Sequence, residues 1–189
     1  MTRAAARRLL VAAPELVDPN FARTVVFVVE HGPDGALGVV LNRPTDTDVG
    51  AVLPEWQPLA CAPSRVFVGG PVSTGDAVIG LARAAVGADL EPSTEGWQRL
   101  LGRVGTVDLG ADPLAASPPL DAARVFAGYA GWGPGQLDAE LLHGGWHVLD
   151  ATPDDLLTDA PELLWRDVLR RQGGDLAMAA NHPADPSAN

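Results

Sequence analysis

The stretch RTVVFVVEHGPDGALGVVLN (residues 23–42) contains two apolar runs separated by a short turn. The successive β-branched or aromatic residues at 25–29 predict a strand that is covered on both faces. Pro33 presets φ at the second turn position, and Gly35 suits the left-handed conformation that closes a bulged hairpin. Residues 36–42 return as the partner strand, so the sequence predicts a β-hairpin here.

Further strands and helices are predicted on both sides of this hairpin. Strand-like runs occupy residues 9–13, 65–70, 77–82, 104–109, 124–130 and 146–150. Short or capped helices are predicted at residues 48–53, from Pro134, after Thr152 and from Pro161. Residues 87–97 and 112–121 are loop-like in composition. A tight hairpin combined with a strand–helix–strand passage favours an α+β fold with a mixed sheet.

Length and composition limit the class of protein. The chain has 189 residues, of which 47% are hydrophobic, and a single cysteine, Cys61. This length allows one substantial core without a disulfide or a metal. The apolar run at residues 9–13 is too short for a signal peptide, and no run reaches the roughly 18 residues of a membrane span. We therefore predict a soluble cytoplasmic protein with one domain (residues 1–180), a disordered tail (residues 181–189) and no contact with a membrane.

The charge pattern excludes several functions. The formal net charge is −11, and all 13 basic residues are arginines. Without lysine, the chain cannot form a Schiff base or a lysine-dependent phosphate loop. The arginines are scattered, so no basic face is evident that could neutralise DNA phosphates. Direct nucleic-acid binding, and with it a role as a DNA-binding transcription factor, conflicts with this charge.

The segment GYAGWGPGQLDAEL (residues 128–141) places four glycines before a predicted helix. A strand, a glycine-rich turn and a helix N-terminus together can hold an anion on free amide groups. Gly131 and Gly133 are therefore candidate ligand-binding residues. Gly69 and Gly70 belong to a second glycine turn that would strengthen such a site if it lay opposite.

A structural role is the alternative for these glycines, and we prefer it. Their spacing is not G-x-G-x-x-G, and Pro134, the predicted first helical residue, removes an amide that a phosphate would use. Tyr129 and Trp132 are bulky, so glycines would let the main chain pass beside them. Trp132 is the tryptophan that we expect nearest any cleft.

Acid–base chemistry has weak candidates in Glu30 and His31 at the mouth of the hairpin, because an imidazole titrates near neutral pH. No serine lies in G-x-S-x-G, and Cys61 has no recognisable flanking signature, so no nucleophile is identified. The alternative is that His31 caps turn carbonyls and that Asn42 bonds a neighbouring loop.

A metal site is not predicted. Glu140 and His143 have the spacing of half a di-iron motif, but only one copy exists. His143 and His147 are separated by a glycine pair that should end the helix. Glu140 is instead expected to bond back to the glycine segment or to a strand edge, and no cofactor is predicted.

Three spaced motifs resemble the YqgE/AlgH family of bacterial proteins. They are FARTVVFVVEHGPDGALGVVLNRP at residues 21–44, VGGPV at 68–72, and GYAGWGPGQLDAEL at 128–141 followed by Trp146. The resemblance implies a single compact α+β domain whose mixed sheet is bent into a partial barrel flanked by helices. It carries over no catalytic residues, although one branch has a label as a regulator of alginate production. The candidate ligand-binding residues that match the motifs are Asn42, Gly69, Gly70, Gly131, Trp132, Gly133, Gln136 and Glu140.

Two functional classes remain. The preferred one is a non-catalytic regulatory or adaptor protein that binds a protein partner or a small ligand, because no catalytic signature is found. The alternative is an enzyme or nucleotide-binding protein acting on a small phosphorylated metabolite. In that case the amides of Gly69, Gly70, Gly131 and Gly133 would hold the anion while His31 or Glu30 moves a proton.

Overall fold

The structure is a computed structural model that describes residues 5–183. The strands are β1 (Arg8–Ala12), β2 (Val25–Gly32), β3 (Gly35–Val40), β4 (Pro44–Asp48), β5 (Arg65–Val68), β6 (Val78–Ala84), β7 (Ser93–Thr94), β8 (Trp97–Leu101), β9 (Val104–Val107), β10 (Leu120–Ala127), β11 (Ala130–Trp132) and β12 (Trp146–Asp150). The α-helices are α1 (Val49–Val52), α2 (Gln136–Leu142), α3 (Pro153–Leu156), α4 (Pro161–Gln172) and α5 (Gly174–Ala179). Two short 3₁₀ helices span Pro54–Leu59 and Pro113–Ala115.

The first sheet is antiparallel, with strand order β11-β3-β2-β1-β12. Its centre is the predicted hairpin, in which Gly32 pairs with Gly35 and Gly35 has φ +128°. Alternate residues of β2 enter two different clusters: Val25 and Phe27 pack in the main core, whereas Val26 and Val28 pack on the opposite face. The prediction of a strand covered on both faces is therefore confirmed.

The second sheet has strand order β4-β5-β10-β6-β9-β8-β7. Strands β5 and β10 are parallel, and the other pairs are antiparallel, so the predicted mixed α+β fold is confirmed. One face of this sheet, including Phe67 and Phe126, joins the main core. The other face carries Val66 and Val125, which pack in a third cluster.

The two sheets are connected where strands bend from one into the other. The chain passes from β3 into β4 and from β10 into β11, and Val40 N donates to Gly69 O at 2.8 Å. The backbones cross so closely that a Cβ on Gly70 would lie 2.1 Å from the carbonyl carbon of Tyr129; Gly70 has φ +155°. The described residues thus form two sheets that are joined through consecutive strands and do not close into a barrel, an arrangement compatible with the implied partial barrel.

The main core lies where α4 packs on the sheets. Leu164, Trp165, Val168 and Leu169 of this helix are buried, and Trp165 Nε1 donates to Ala12 O at 2.9 Å. The predicted Thr152 cap is confirmed, because Thr152 and Asp155 form a capping box at the start of α3. No helix in the described part of the chain is long and apolar enough to cross a membrane.

Several local predictions were wrong. Strand β8 was not predicted from the sequence. Strand β11 lies inside the glycine segment, where a turn was predicted. Helix α2 begins at Gln136 after a left-handed Gly135, two residues later than the predicted start at Pro134. The disordered tail stays a prediction, because residues 184–189 lie outside the described residues; the carbonyl groups of His182 and Pro183 accept hydrogen bonds from Arg23.

Candidate functional site

A tryptophan–glutamate cluster forms where α2 faces the two edge strands of the first sheet. We define this cluster as Phe21, Trp132, Gln136, Glu140 and Trp146. Glu140 Oε2 accepts from Trp132 Nε1 and from Trp146 Nε1, each at 3.0 Å. Gln136 lies one helical turn before Glu140, and its Nε2 donates to Glu140 Oε1 at 3.1 Å. Both carboxylate oxygens of Glu140 therefore have protein partners.

The cluster joins opposite edges of the same sheet. Trp132 is in β11 and Trp146 is in β12, which are the two outermost strands of the first sheet. In a flat sheet of five strands these edges would be about 19 Å apart, from four spacings of about 4.8 Å. The two indole rings nevertheless have centroids only 6.3 Å apart, and Phe21 packs against both rings. The sheet is thus curled, and Glu140 connects its edges.

The glycine segment contributes to the cluster through its main chain. Gly133 N donates to Gln136 Oε1 at 3.0 Å, so this amide is used inside the protein. The prediction that Glu140 bonds back to the glycine segment is confirmed by its contact with Trp132. The idea that Gly133 permits an unusual main-chain path is not supported, because its φ is not positive and a Cβ would meet no atom closer than 3.9 Å.

His31 lies beside the cluster, and its side chain is 7% exposed. Its Nδ1 accepts from Ala5 N at 3.0 Å, so in the neutral ring the proton is on Nε2. This Nε2 lies 3.5 Å from Asp138 Oδ1, which has no other hydrogen-bond partner among the described residues. His31 therefore contacts the N-terminal segment and α2, and the predicted capping of turn carbonyls is wrong.

Two separate openings border the predicted site residues. The hairpin cavity, about 370 Å³, is lined by Glu30, His31 and Trp132 together with the hairpin turn. The arginine cavity, about 480 Å³, is lined by Gly70, Pro71 and Arg43 among others. The structure does not bring Gly70 and the Gly131–Gly133 segment to one opening, so the two glycine turns do not face each other across a shared ligand pocket.

The remaining predicted residues line neither opening. Asn42 Oδ1 accepts from Val25 N, and its Nδ2 donates to the Arg23 carbonyl, each at 2.9 Å, so the expected bond to a neighbouring loop is confirmed. Gly69 N donates to Ala127 O at 2.8 Å. Gly131 pairs with Leu37 inside β11. Any ligand-binding role for these residues stays a prediction.

Sequence reasoning missed two charged side chains. Arg43 was present in the quoted motif, but only its position in the fold shows that it lines a cavity that has no carboxylate in its lining. Arg124 is 2% exposed and donates to the carbonyls of Ala62 and Thr158, each at 2.6 Å. Burial lowers the pKa of Arg124, whereas Cys61 and Asp159 raise it. No signal in the sequence distinguishes Arg124 from an exposed arginine.

The described residues contain no group of three or more histidine, cysteine, aspartate or glutamate side chains that could hold a metal ion. The side chains of Asn42, Gln136 and Glu140 instead form hydrogen bonds to other groups of the protein. The fold and this site thus define a single-domain α+β protein in which consecutive strands join two sheets and a carboxylate connects the edges of one sheet.

Comparison with known proteins identifies the family. The AlgH-like family model matches residues 9–177, and the chain belongs to this family. A UPF0301 protein of Streptomyces coelicolor is 54% identical over 96% of this chain and 94% of its own length. A crystal structure of a Corynebacterium diphtheriae protein superposes with a TM-score of 0.86 at 36% identity, covering 94% of this chain and 92% of the other. The AlgH protein of Pseudomonas aeruginosa has a TM-score of 0.67 at 30% identity, with 98% and 97% covered.

Proposed function

We propose that this protein is a non-catalytic cytoplasmic binding protein with a regulatory or adaptor role. One observation carries the proposal: the polar atoms of Glu140 and Asn42, two of the candidate ligand-binding residues, are used in bonds within the protein. Glu140 is bound by two indoles and an amide, and Asn42 is bound by two backbone groups. A general acid or base needs an atom within hydrogen-bond reach of a substrate, and these two side chains direct their polar atoms to the protein itself.

His31 supports the same interpretation. One ring nitrogen accepts from the Ala5 amide and the other faces Asp138, so neither nitrogen is directed to a group outside the protein. Glu30 is exposed next to it on the hairpin. A carboxylate in water without a partner group resembles an ordinary surface residue more than an activated catalytic group.

The alternative is an enzyme or nucleotide-binding protein acting on a small phosphorylated metabolite, and one observation favours it. The lining of the arginine cavity contains Arg43 and no acidic residue, although the whole chain has a net charge of −11. Arg43 uses Nη2 to donate to Ala22 O at 2.7 Å, and a guanidinium has further N–H groups for an anion. The anion would then bind Arg43 rather than Gly69 or Gly133, whose amides are already used.

A thermal-shift screen with ³¹P NMR of the same mixtures separates the two functions. Nucleotides and sugar phosphates are the probes, added at millimolar concentration to the full chain. A ligand at 100 times its Kd would add about 2.7 kcal/mol of stability, which corresponds to a Tm increase of roughly 5–10 °C for a chain of this size. We expect no shift and an unchanged ³¹P spectrum.

The control pair for this screen is Arg43→Gln and Arg99→Gln. Arg99 is exposed and bonds only locally, to Gly102 O. A Tm increase that Arg43→Gln removes and Arg99→Gln preserves would establish the alternative function, and conversion of the phosphate signal would show catalysis. Either result would overturn the proposed non-catalytic role.

A further inference from the structure

The N-terminal segment (residues 5–7) is held against the first sheet by two hydrogen bonds from its backbone. Ala5 N donates to His31 Nδ1 at 3.0 Å, and Arg7 N donates to Val28 O at 2.8 Å. Ala5 is fully buried and belongs to the same hydrophobic cluster as Val28. Arg7 has φ +63°, a conformation that is unfavourable for a residue with a side chain, so the segment depends on these contacts to keep its path.

The bond from Ala5 requires a neutral imidazole. In the neutral ring of His31, Nδ1 has a lone pair that accepts from Ala5 N, whereas in the imidazolium both ring nitrogens carry a proton. Protonation would place two N–H groups opposite each other across a contact of 3.0 Å. The hydrogen bond would become a repulsion between two donors, and the amide of the buried Ala5 would lose its acceptor.

The folded protein already holds carboxylates that suit a protonated ring. His31 Nε2 lies 3.5 Å from Asp138 Oδ1, a buried atom without a hydrogen-bond partner among the described residues. Glu30 and Asp34 line the hairpin cavity together with His31. An imidazolium at this position would therefore be attracted by carboxylates of α2 and of the hairpin, so the charged ring can stay inside the fold.

The other elements packed against His31 bring no competing charge to it. Arg7 Nη1 donates to two carbonyl groups of β8, each at 2.9 Å, and Arg8 Nη2 forms a salt bridge with Asp150 at 2.9 Å. Strand β11 borders the hairpin cavity with Trp132 and contains no titratable residue. The titratable side chains that face His31 from the described elements around it are thus carboxylates.

We propose that His31 makes the attachment of the N-terminal segment sensitive to pH. The neutral ring holds Ala5 against the sheet, and protonation releases residues 5–7 while the imidazolium stays beside Asp138. Because the released state binds one proton more than the attached state, its population rises as the pH falls, by up to about tenfold for each pH unit. Release would free Val28 O and uncover part of the apolar cluster, so the two states differ in the surface that they present.

The test measures the exchange of two backbone amides with water by NMR, at pH 8 and at pH 5, on either side of the range in which an imidazole titrates. Each rate is compared with the intrinsic rate at the same pH to give a protection factor. Arg7 N reports release of the segment, and Leu41 N, which donates to Val25 O at 2.8 Å, reports opening of the sheet itself. We expect the protection of Arg7 N to fall at least about tenfold at pH 5 and that of Leu41 N to change less.

His31→Asn is the decisive variant, because its amide oxygen can take the place of Nδ1 as acceptor but is not protonated in this pH range. We expect its Arg7 protection factor to stay within about twofold between the two pH values. His143→Asn is the matched control: His143 is exposed, its ring bonds locally to Ala139 O, and this variant should behave as the unsubstituted chain does.

Asp138→Asn replaces His31→Asn if the latter does not retain the native far-UV CD spectrum. Without this carboxylate the imidazolium is less favourable, so release should need a lower pH and Arg7 N should be better protected at pH 5 than in the unsubstituted chain. Unchanged protection in Asp138→Asn would count against the inference.

Three results with the first pair of variants would overturn the inference. Equal Arg7 protection at both pH values in the unsubstituted chain would show that the segment is not released. The same fall in His31→Asn would assign the release to another group, and an equal fall at Arg7 N and Leu41 N would show that the whole sheet opens. None of these results involves a ligand, so the test is independent of the metabolite screen.

Discussion

The outer faces of the two sheets are covered in different ways. On the first sheet, α2 buries Leu137 and brings Glu140 to the indoles of Trp132 and Trp146. The apolar surface is therefore buried, and the indole N–H groups have an acceptor. On the second sheet, Trp56 covers one part and leaves Val78 exposed in an open groove. The difference shows that the family motifs build the closed face, while the open face consists of ordinary strand residues without a motif.

Gly70→Ala is expected to have the largest effect, because it acts on the junction that supports both faces. A Cβ here would lie 2.1 Å from main-chain atoms of Tyr129, at φ +155°, and backbone cannot move aside as a side chain can. We predict a loss of about 4 kcal/mol in the free energy of unfolding, measured by urea denaturation. Gly133→Ala is the control, because its Cβ meets nothing within 3.9 Å, and it should change stability by less than about 1 kcal/mol. Equal losses in both variants would contradict this account.

Glu140→Ala tests the closed face directly. It leaves the indole N–H groups of Trp132 and Trp146, which are 5% and 6% exposed, without an acceptor. Each unsatisfied buried donor costs about 1–3 kcal/mol, so we predict a loss of about 3 kcal/mol in unfolding free energy, with reduced near-UV CD from the tryptophans.

Glu140→Gln is the matched control for that change, because its amide oxygen can still accept from the indoles. Its loss should be less than half that of Glu140→Ala. If both variants lost the same stability, the negative charge rather than the acceptor would hold the sheet edges together.

Asn42→Ala should have an intermediate effect. Asn42 supplies an acceptor to Val25 N, which is fully buried, and a donor to Arg23 O. Removing both leaves a buried amide unsatisfied, and we predict a loss of about 2 kcal/mol by urea denaturation. Asn42→Asp keeps the acceptor for Val25 N but places a carboxylate oxygen against Arg23 O, so we expect it to be destabilised as well. If Asn42→Ala left the free energy of unfolding unchanged, the prediction that Asn42 binds a ligand would be favoured over its role in holding the hairpin.

The sequence predicts these two faces unequally, for physical reasons. The hairpin is predictable because a β-branched run and a Pro–Gly turn act over neighbouring residues. Strand β8 was missed because its burial does not alternate: Trp97 and Leu100 are inside, with Gln98 and Arg99 exposed between them. The bond between Glu140 and Trp132 could be predicted, because Glu140 lies about one turn into the helix that follows the glycines. Trp146 is also close to Glu140 in sequence. What no local pattern encodes is the curl of the five-stranded sheet, which brings its two edge strands near enough for Glu140 to contact both tryptophans.

Val78→Thr should have the smallest effect on the free energy of unfolding. Thr is nearly isosteric with Val and β-branched, so it suits strand β6, and the added hydroxyl remains in water at a position that is 57% exposed. We predict a change in unfolding free energy within about 0.5 kcal/mol, measured by urea denaturation. If the free energy of unfolding fell as much as in Asn42→Ala, the Val78 side chain would be part of the packed core. Since exposed apolar surface contributes little to stability, near-neutrality here is the behaviour expected of a side chain that lies outside the packed core.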